Sequence, residues 1–232
     1  MAKKLFLIWT LALLLGFSTG VVGQQDVELV LEEGVNGYEG TKDTTLYNES
    51  SKSNGAGDFI FAGLTKQGAE RRGLIAFDLS DIPESATITS VSLQFIVSRT
   101  QPGSTVISVH RLNKDWGEGE QEAPNREGTG ALAAEGDATW NENFRTDSSW
   151  DNPGGDFVET ASAEATAAGP GSPILLEGEN MVADVQVWVN GEADNFGWIL
   201  IGDGTAKQFY ASDSEFAGEA EKPRLIILYH TN

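Results

Sequence analysis

Short apolar runs of period two, each closed by turn residues, constrain this chain more than any other feature. Gly, Pro, Asn or Asp interrupts them about every 8–12 residues, the rhythm of an all-β sandwich. "DVELVLEEG" sets Val27, Leu29 and Leu31 against acids, the pattern of a half-buried strand. "ITSVSLQFIVSR" carries Ile88, Val91, Leu93, Phe95 and Val97, four of them at period two. "STVISVHRL" alternates in the same way, and the intervening "TQPG" suits a hairpin turn. "DTTLYN" and "DFIFAG" read as short strands, and "RRGLIAFDLS" is almost continuously apolar, as a central strand covered on both faces would be. "FGWILIGDG" and "PRLIILYH" add two more strands. "FVETASAEATAAG" fits a strand or a helix, because its alternation is clean but its side chains are small. One helix stands out in "GENMVADVQVWVNG": Asn180 is placed to cap it, Val182, Val185, Trp188 and Val189 share a face, and Gly191 is placed to end it. The expectation is an all-β, jelly-roll-like antiparallel β-sandwich with one short helix, forming a single domain over residues 24–232.

Residues 1–23 stand apart from that pattern. Lys3 and Lys4 precede the apolar run "LFLIWTLALLLGF" and the small residues "STGVVG". This is the order of a secretory signal peptide, with cleavage expected after Gly23 and Gly20 as the alternative. The run is short for a membrane span of about 20 residues, and no later segment is apolar enough to cross. The expected location is therefore secreted, extracellular or periplasmic, with no membrane span after cleavage. The chain has 15 Lys and Arg against 35 Asp and Glu, a formal charge of −20. Removing Lys3 and Lys4 takes it to about −22. Such a surface repels nucleic acid, which needs clustered bases. It suits cations and neutral ligands, and an anionic polysaccharide would need a local basic patch against the global field. There is no cysteine, so a secreted chain of this kind is held by its core, its strand ladders and metal ions rather than disulfides.

The segment from Asp115 to Phe157 departs from the strand rhythm. It is acidic and Gly-rich, yet it holds Trp116, Trp140 and Trp150. Sugar rings present apolar C–H faces that stack on aromatic planes, so these three and Tyr210 are the ligand-binding candidates. The competing reading is that the tryptophans pin a long loop onto the sandwich. Calcium takes six to eight oxygens from carboxylates, Asn side chains and carbonyls. "DNPGGD" offers Asp151, Asn152 and Asp156 for one structural Ca²⁺, against the plainer alternative of a solvated acidic loop. "DGTAKQFYASDSE" offers Asp203, Asp213 and Glu215 in the same way. Glu118, Glu120 and Glu122 could supply a hydrolase with carboxyls, but acids adjacent in sequence do not define two sides of a bond. His110 lies mid-strand and reads as a satisfied strand residue, and Arg71 and Arg72 read as salt-bridge partners of the acidic surface.

Six pieces in order carry a family resemblance: "RRGLIAFDLSDIPESATITSVSLQF", "VHRLNKDWGEG", "ATWNENF", "SSWDNPGGDF", "VQVWVNGEADNFGWILI" and "FYASDSEFAGEAEKPRLIILY". Over about Asp43 to Tyr229 the chain resembles the DNRLRE domain family, secreted β-sandwich modules grouped with carbohydrate-binding modules and found beside the catalytic part of archaeal disaggregatase. The name-giving motif falls where this chain reads "FYASDSE", without the arginines. The resemblance implies a non-catalytic module that attaches to a polysaccharide or cell-envelope glycan, with other surface proteins as further partners. The sequence thus leads to a secreted, non-enzymatic carbohydrate-binding or surface adhesion module. The alternatives are a polysaccharide hydrolase or lyase using acidic residues, and a calcium-stabilised structural matrix protein.

Overall fold

The computed structural model describes residues 26–49, 51–218 and 220–231; the expected signal peptide lies outside the described residues. The strands, in chain order, are β1 (Val27–Glu32), β2 (Thr41–Tyr47), β3 (Lys52–Ser53), β4 (Phe59–Leu64), β5 (Glu70–Phe77), β6 (Ala86–Thr100) and β7 (Thr105–Arg111). Within and after the acidic segment come β8 (Ala131–Leu132), β9 (Glu142–Phe144), β10 (Ser148–Ser149), β11 (Ala163–Ala167) and β12 (Pro173–Glu177). The helix α1 (Glu179–Val189) precedes β13 (Trp198–Gly202), β14 (Lys207–Tyr210) and β15 (Arg224–Thr231). Every pairing between these strands is antiparallel. The fold is all-β and jelly-roll-like, with one helix.

One long curled sheet builds it, in the order β1-β15-β6-β14-β4-β5-β13-β7-β11, with β12 added to β6 and β2 to β5. Strand β6 makes the turn of that curl. Its residues Ala86–Gln94 pair with β15, and its last residues, Val97–Thr100, pair with β14. At about 3.3 Å per residue its 15 residues span roughly 50 Å, longer than one sandwich face needs, so the strand serves two layers. The register with β15 shifts between Leu228 and Tyr229, which leaves Thr89 as an extra residue. That bulge resets the alternation. Ile88 on one side of it and Val91, Leu93, Phe95 and Val97 on the other therefore all reach the core.

That core lies between the layers and is closed at one end by α1, whose Met181, Val185, Trp188 and Val189 are buried in it. Gly178 occupies the N-cap without a side-chain bond. Asn180, the expected cap, instead donates from Nδ2 to Ala161 O and ties the helix to the preceding loop. Gly191 ends the helix at φ +67°. The ambiguous Ala-rich segment is a strand, β11, at the edge beside β7.

Strand β5 explains its own apolar run. Ile75 and Phe77 face the main core, whereas Leu74 and Ala76 face a second cluster on the far side of the sheet. The acidic segment covers that far side. Trp116 and Trp150 are 1% and 5% exposed and pack there against Leu46, Leu112 and Ile199. Each indole N–H finds a carbonyl: Trp116 Nε1 donates to Phe196 O at 2.9 Å and Trp150 Nε1 to Thr139 O at 2.9 Å. A large side chain so placed contributes about 3–5 kcal/mol relative to alanine. Trp116→Ala is expected to lower the urea unfolding free energy by about that amount, and Trp116→Phe by less, since only the gap and one hydrogen bond are lost. A Trp116→Ala loss within about 0.5 kcal/mol, the size of an ordinary surface change, would show that the loop is held some other way.

Candidate functional site

The structure distributes the residues singled out from sequence over several places. Trp116 and Trp150 leave no ring face open to a ligand. Trp140 is half-buried, with the Arg72 guanidinium 4.8 Å from its ring centre and Gly154 against its edge. Tyr210 lies at the surface end of β14 and lines a groove described below. Asp151, Asn152 and Asp156 do come together, but as hydrogen-bonding partners of one another. Asp156 Oδ2 accepts from Asp151 N at 2.7 Å, and Oδ1 accepts from Asn152 N and Nδ2. Lys114 Nζ stands 3.4 Å from Asp156 and 3.0 Å from the exposed Asp151. These donors hold the Asp156 carboxyl below the usual range despite its burial. The arrangement ties a turn. Arg71 and Arg72 pair with Glu49 and Glu70. His110 places its ring nitrogens near Val158 O and Ser108 Oγ.

A concave surface lies on the outside of β6, β14 and β4. Alternation dictates its floor. Ile60, Ala62 and Phe209 point into the core, so Phe59, Phe61, Gln208 and Tyr210 face the other way. Register then lines them up across strands: Arg99, Gln208 and Phe61 form one row, and Tyr210 and Phe59 the next. A bulge between Gln208 and Phe209 brings Ser98 to the same side.

Residues 124–129 rise over this floor as a wall, and Glu127 holds them. The residue is only 3% exposed, and its carboxylate accepts from Asn54 Nδ2 at 2.8 Å, Phe59 N at 3.0 Å and Asp58 N at 3.2 Å. Burial still raises its pKa, those bonds acting in opposition. Tyr47 Oη donates to Glu127 O, and Arg71 donates twice to Gly128 O. Asn125 and Glu127 both take positive φ, at 64° and 62°, which the surrounding bonds enforce. Gly130 follows at φ 64°, where a Cβ would meet Lys52 and Tyr47 at 3.0 Å. Asp58, Glu122 and Glu127 each bring a carboxylate oxygen within 4.8 Å of the others, but Glu127 is satisfied by N–H donors and Asp58 Oδ1 accepts from Glu215 N.

The groove so formed has a volume of about 580 Å³ and carries an unusual charge. Five bases line it, Lys66, Arg71, Arg99, Arg126 and Lys207, against one acid, Glu127. The protein as a whole has more than two acids for each base. Lys66, Arg99 and Arg126 are exposed and form no ion pair among the described residues. Lys207 is fully buried, and its ammonium donates to Thr100 Oγ1, Gly103 O, Gln101 O and Thr205 Oγ1, all neutral. Desolvation lowers its pKa, as expected for a buried cation without a carboxylate partner. These bases are scattered from position 66 to 207, so no run or spacing in the sequence announces them. Strand register places Arg71, Arg99 and Lys207, and loops carry Lys66 and Arg126 to them.

A separate pair of acids, Asp43 of β2 and Glu118 of the acidic segment, lies outside this groove. Asp43 is 1% exposed; its N donates to Glu118 Oε1 at 2.6 Å, and its Oδ2 accepts from Ser212 N at 2.7 Å. Burial pushes Asp43 up to about 7 and Glu118 up to about 8, with neighbouring carboxylates adding to both. No protein-family model and no curated protein matches the chain. Among the described residues no helix is long and apolar enough to cross a membrane.

Because both folded pKa values lie above the ordinary carboxyl values of about 4, the stability they contribute is complete below pH 4 and is lost as pH rises toward 7–8. The melting temperature is expected to rise when pH is lowered from 8.5 to 5.5. Asp43→Asn, which keeps an oxygen for Ser212 N without the charge, should flatten that rise. A melting temperature independent of pH across this window in the unsubstituted protein would contradict the assignment.

Proposed function

We propose that the protein is a secreted, non-catalytic carbohydrate-binding module whose groove takes a glycan bearing carboxylate or sulfate groups. One observation carries the reading: unpaired bases gather in a concave site on a protein that is otherwise strongly acidic. Arg99 and Arg126 bind the anionic groups, because a guanidinium offers a planar fork of donors that matches a carboxylate. Lys66 adds charge at the rim, and Lys207 adds it from below. Asn125 supplies an amide group for sugar hydroxyls, and Phe61 gives an apolar patch on the floor.

Three further features support this reading. Residues 1–23 have the signal-peptide order, which fits an extracellular glycan. The resemblance to DNRLRE modules points to attachment rather than catalysis. The single acid of the groove, Glu127, is already committed to three N–H donors, whereas glycosidases generally use two carboxyls flanking the bond.

Residues 24–232 are to be tested by isothermal titration at about 0.15 M salt, where the Debye length is roughly 8 Å. The ligands are polygalacturonate, chondroitin sulfate and neutral dextran. Binding of at least one acidic polymer and none of dextran is expected, and comparison of the two acidic polymers distinguishes carboxylate from sulfate. Arg99→Ala/Arg126→Ala should weaken binding by about tenfold or more, equivalent to roughly 1.4 kcal/mol. Equal binding of dextran, or an unchanged affinity in the double variant, would overturn the reading.

A further inference from the structure

The groove does not end at its cationic part. Arg99, Arg126 and Gln208 also line a second cavity of about 300 Å³, so the two cavities adjoin along the sheet. Beyond the two arginines its chemistry changes. The second part is lined by Phe59, Tyr210 and Phe216, with Ser98 at its side. Phe216 is 70% exposed and lies parallel to Phe59, with 4° between the ring planes and 6.3 Å between centroids. Tyr210 leans on Phe59 at 5.7 Å.

Phe216 is held in this position by its own loop. Ser214 Oγ accepts from Phe216 N and Ala217 N, and Asp58 Oδ1 accepts from Glu215 N at 2.7 Å. Asp58 also accepts Ala211 N on its carbonyl and donates its own N–H to Glu127. The aromatic ledge and the cationic wall are therefore braced by the same two residues, Asp58 and Glu127. An exposed phenylalanine held this firmly beside unpaired arginines presents an apolar plane next to fixed positive charge.

We infer that the Phe59–Tyr210–Phe216 ledge is a second sugar subsite, so that the groove grips an internal stretch of a linear acidic glycan rather than one terminal unit. This rests on the glycan-binding reading above. In this arrangement the C–H face of one pyranose ring stacks on the ledge, while the anionic group of the neighbouring unit meets Arg99 and Arg126. A single sugar can occupy one part or the other but not both, so affinity grows with chain length until both are filled.

The test is isothermal titration of the protein with galacturonic acid and its oligomers from dimer to hexamer. Affinity is expected to climb with length in the unsubstituted protein. Phe216→Ala should lower affinity for the longer oligomers by roughly two- to tenfold and for the monomer by less, because stacking of this kind is worth about 0.5–1.5 kcal/mol beyond area burial. Phe216→Trp should keep the dependence on length. The site is exposed, so an unchanged melting temperature will confirm that the variants fold. An affinity independent of length, or a Phe216→Ala effect that is absent or equal for all lengths, overturns the second subsite and leaves the cationic site standing. No binding of any length, together with no binding of chondroitin sulfate, overturns both.

Discussion

A buried carboxylate, Glu127, supports the organisation of this molecule's working face. In a protein with no cysteine, a long irregular segment must be fastened by side chains. Glu127 fastens it by accepting three N–H groups from Asn54, Asp58 and Phe59. An isolated buried carboxylate is costly, and removing its donors would leave an unpaired charge away from water. With them, the charge becomes a clamp between residues 124–129 and the start of β4. The wall, the floor and the ledge all converge on that clamp. The tryptophans do the equivalent work on the other side of β5, where Trp116 and Trp150 convert an exposed sheet face into a second core.

This division of labour reconciles a net charge of −20 with the proposed anionic ligand. At a separation of 4 Å two unit charges interact by about 4 kcal/mol for an effective dielectric of 20. At physiological salt the Debye length is about 8 Å, so the many surface acids farther away are largely screened. Local bases therefore decide the sign of the interaction inside the groove, while the acidic remainder discourages nucleic acid and non-specific adhesion. Lys207 contributes to the local sign because its partners are carbonyls and hydroxyls rather than carboxylates.

Much of the fold was legible in the sequence, because period and punctuation are local properties. β1, β4, β5, β6, β7, β13 and β15 follow from apolar alternation, and the continuous run in β5 foretold a strand covered on both faces. The parity break between Ile88 and Val91 was visible, though only the register with β15 shows it to be a bulge. Asn180 read as a cap because its type and position suit one, but a tertiary bond to Ala161 takes its side chain instead. The groove was the least legible part. Tyr210 was singled out, yet Phe59, Phe61, Arg99, Arg126 and Phe216 were not, since cross-strand pairing and two loops unite them across more than 150 positions of chain. Tryptophan among acids did not reveal that Trp116 and Trp150 are buried, because residue type is a local signal and exposure is not.

Amide hydrogen exchange of the protein with and without an oligogalacturonide would locate the ligand directly. The account predicts new protection at residues 59–66, 98–101, 124–129 and 207–216, the strands and wall of one groove. Protection centred on residues 140–157, around Trp140, Trp150 and the Asp156 turn, with none at 98–101 or 124–129, would contradict it.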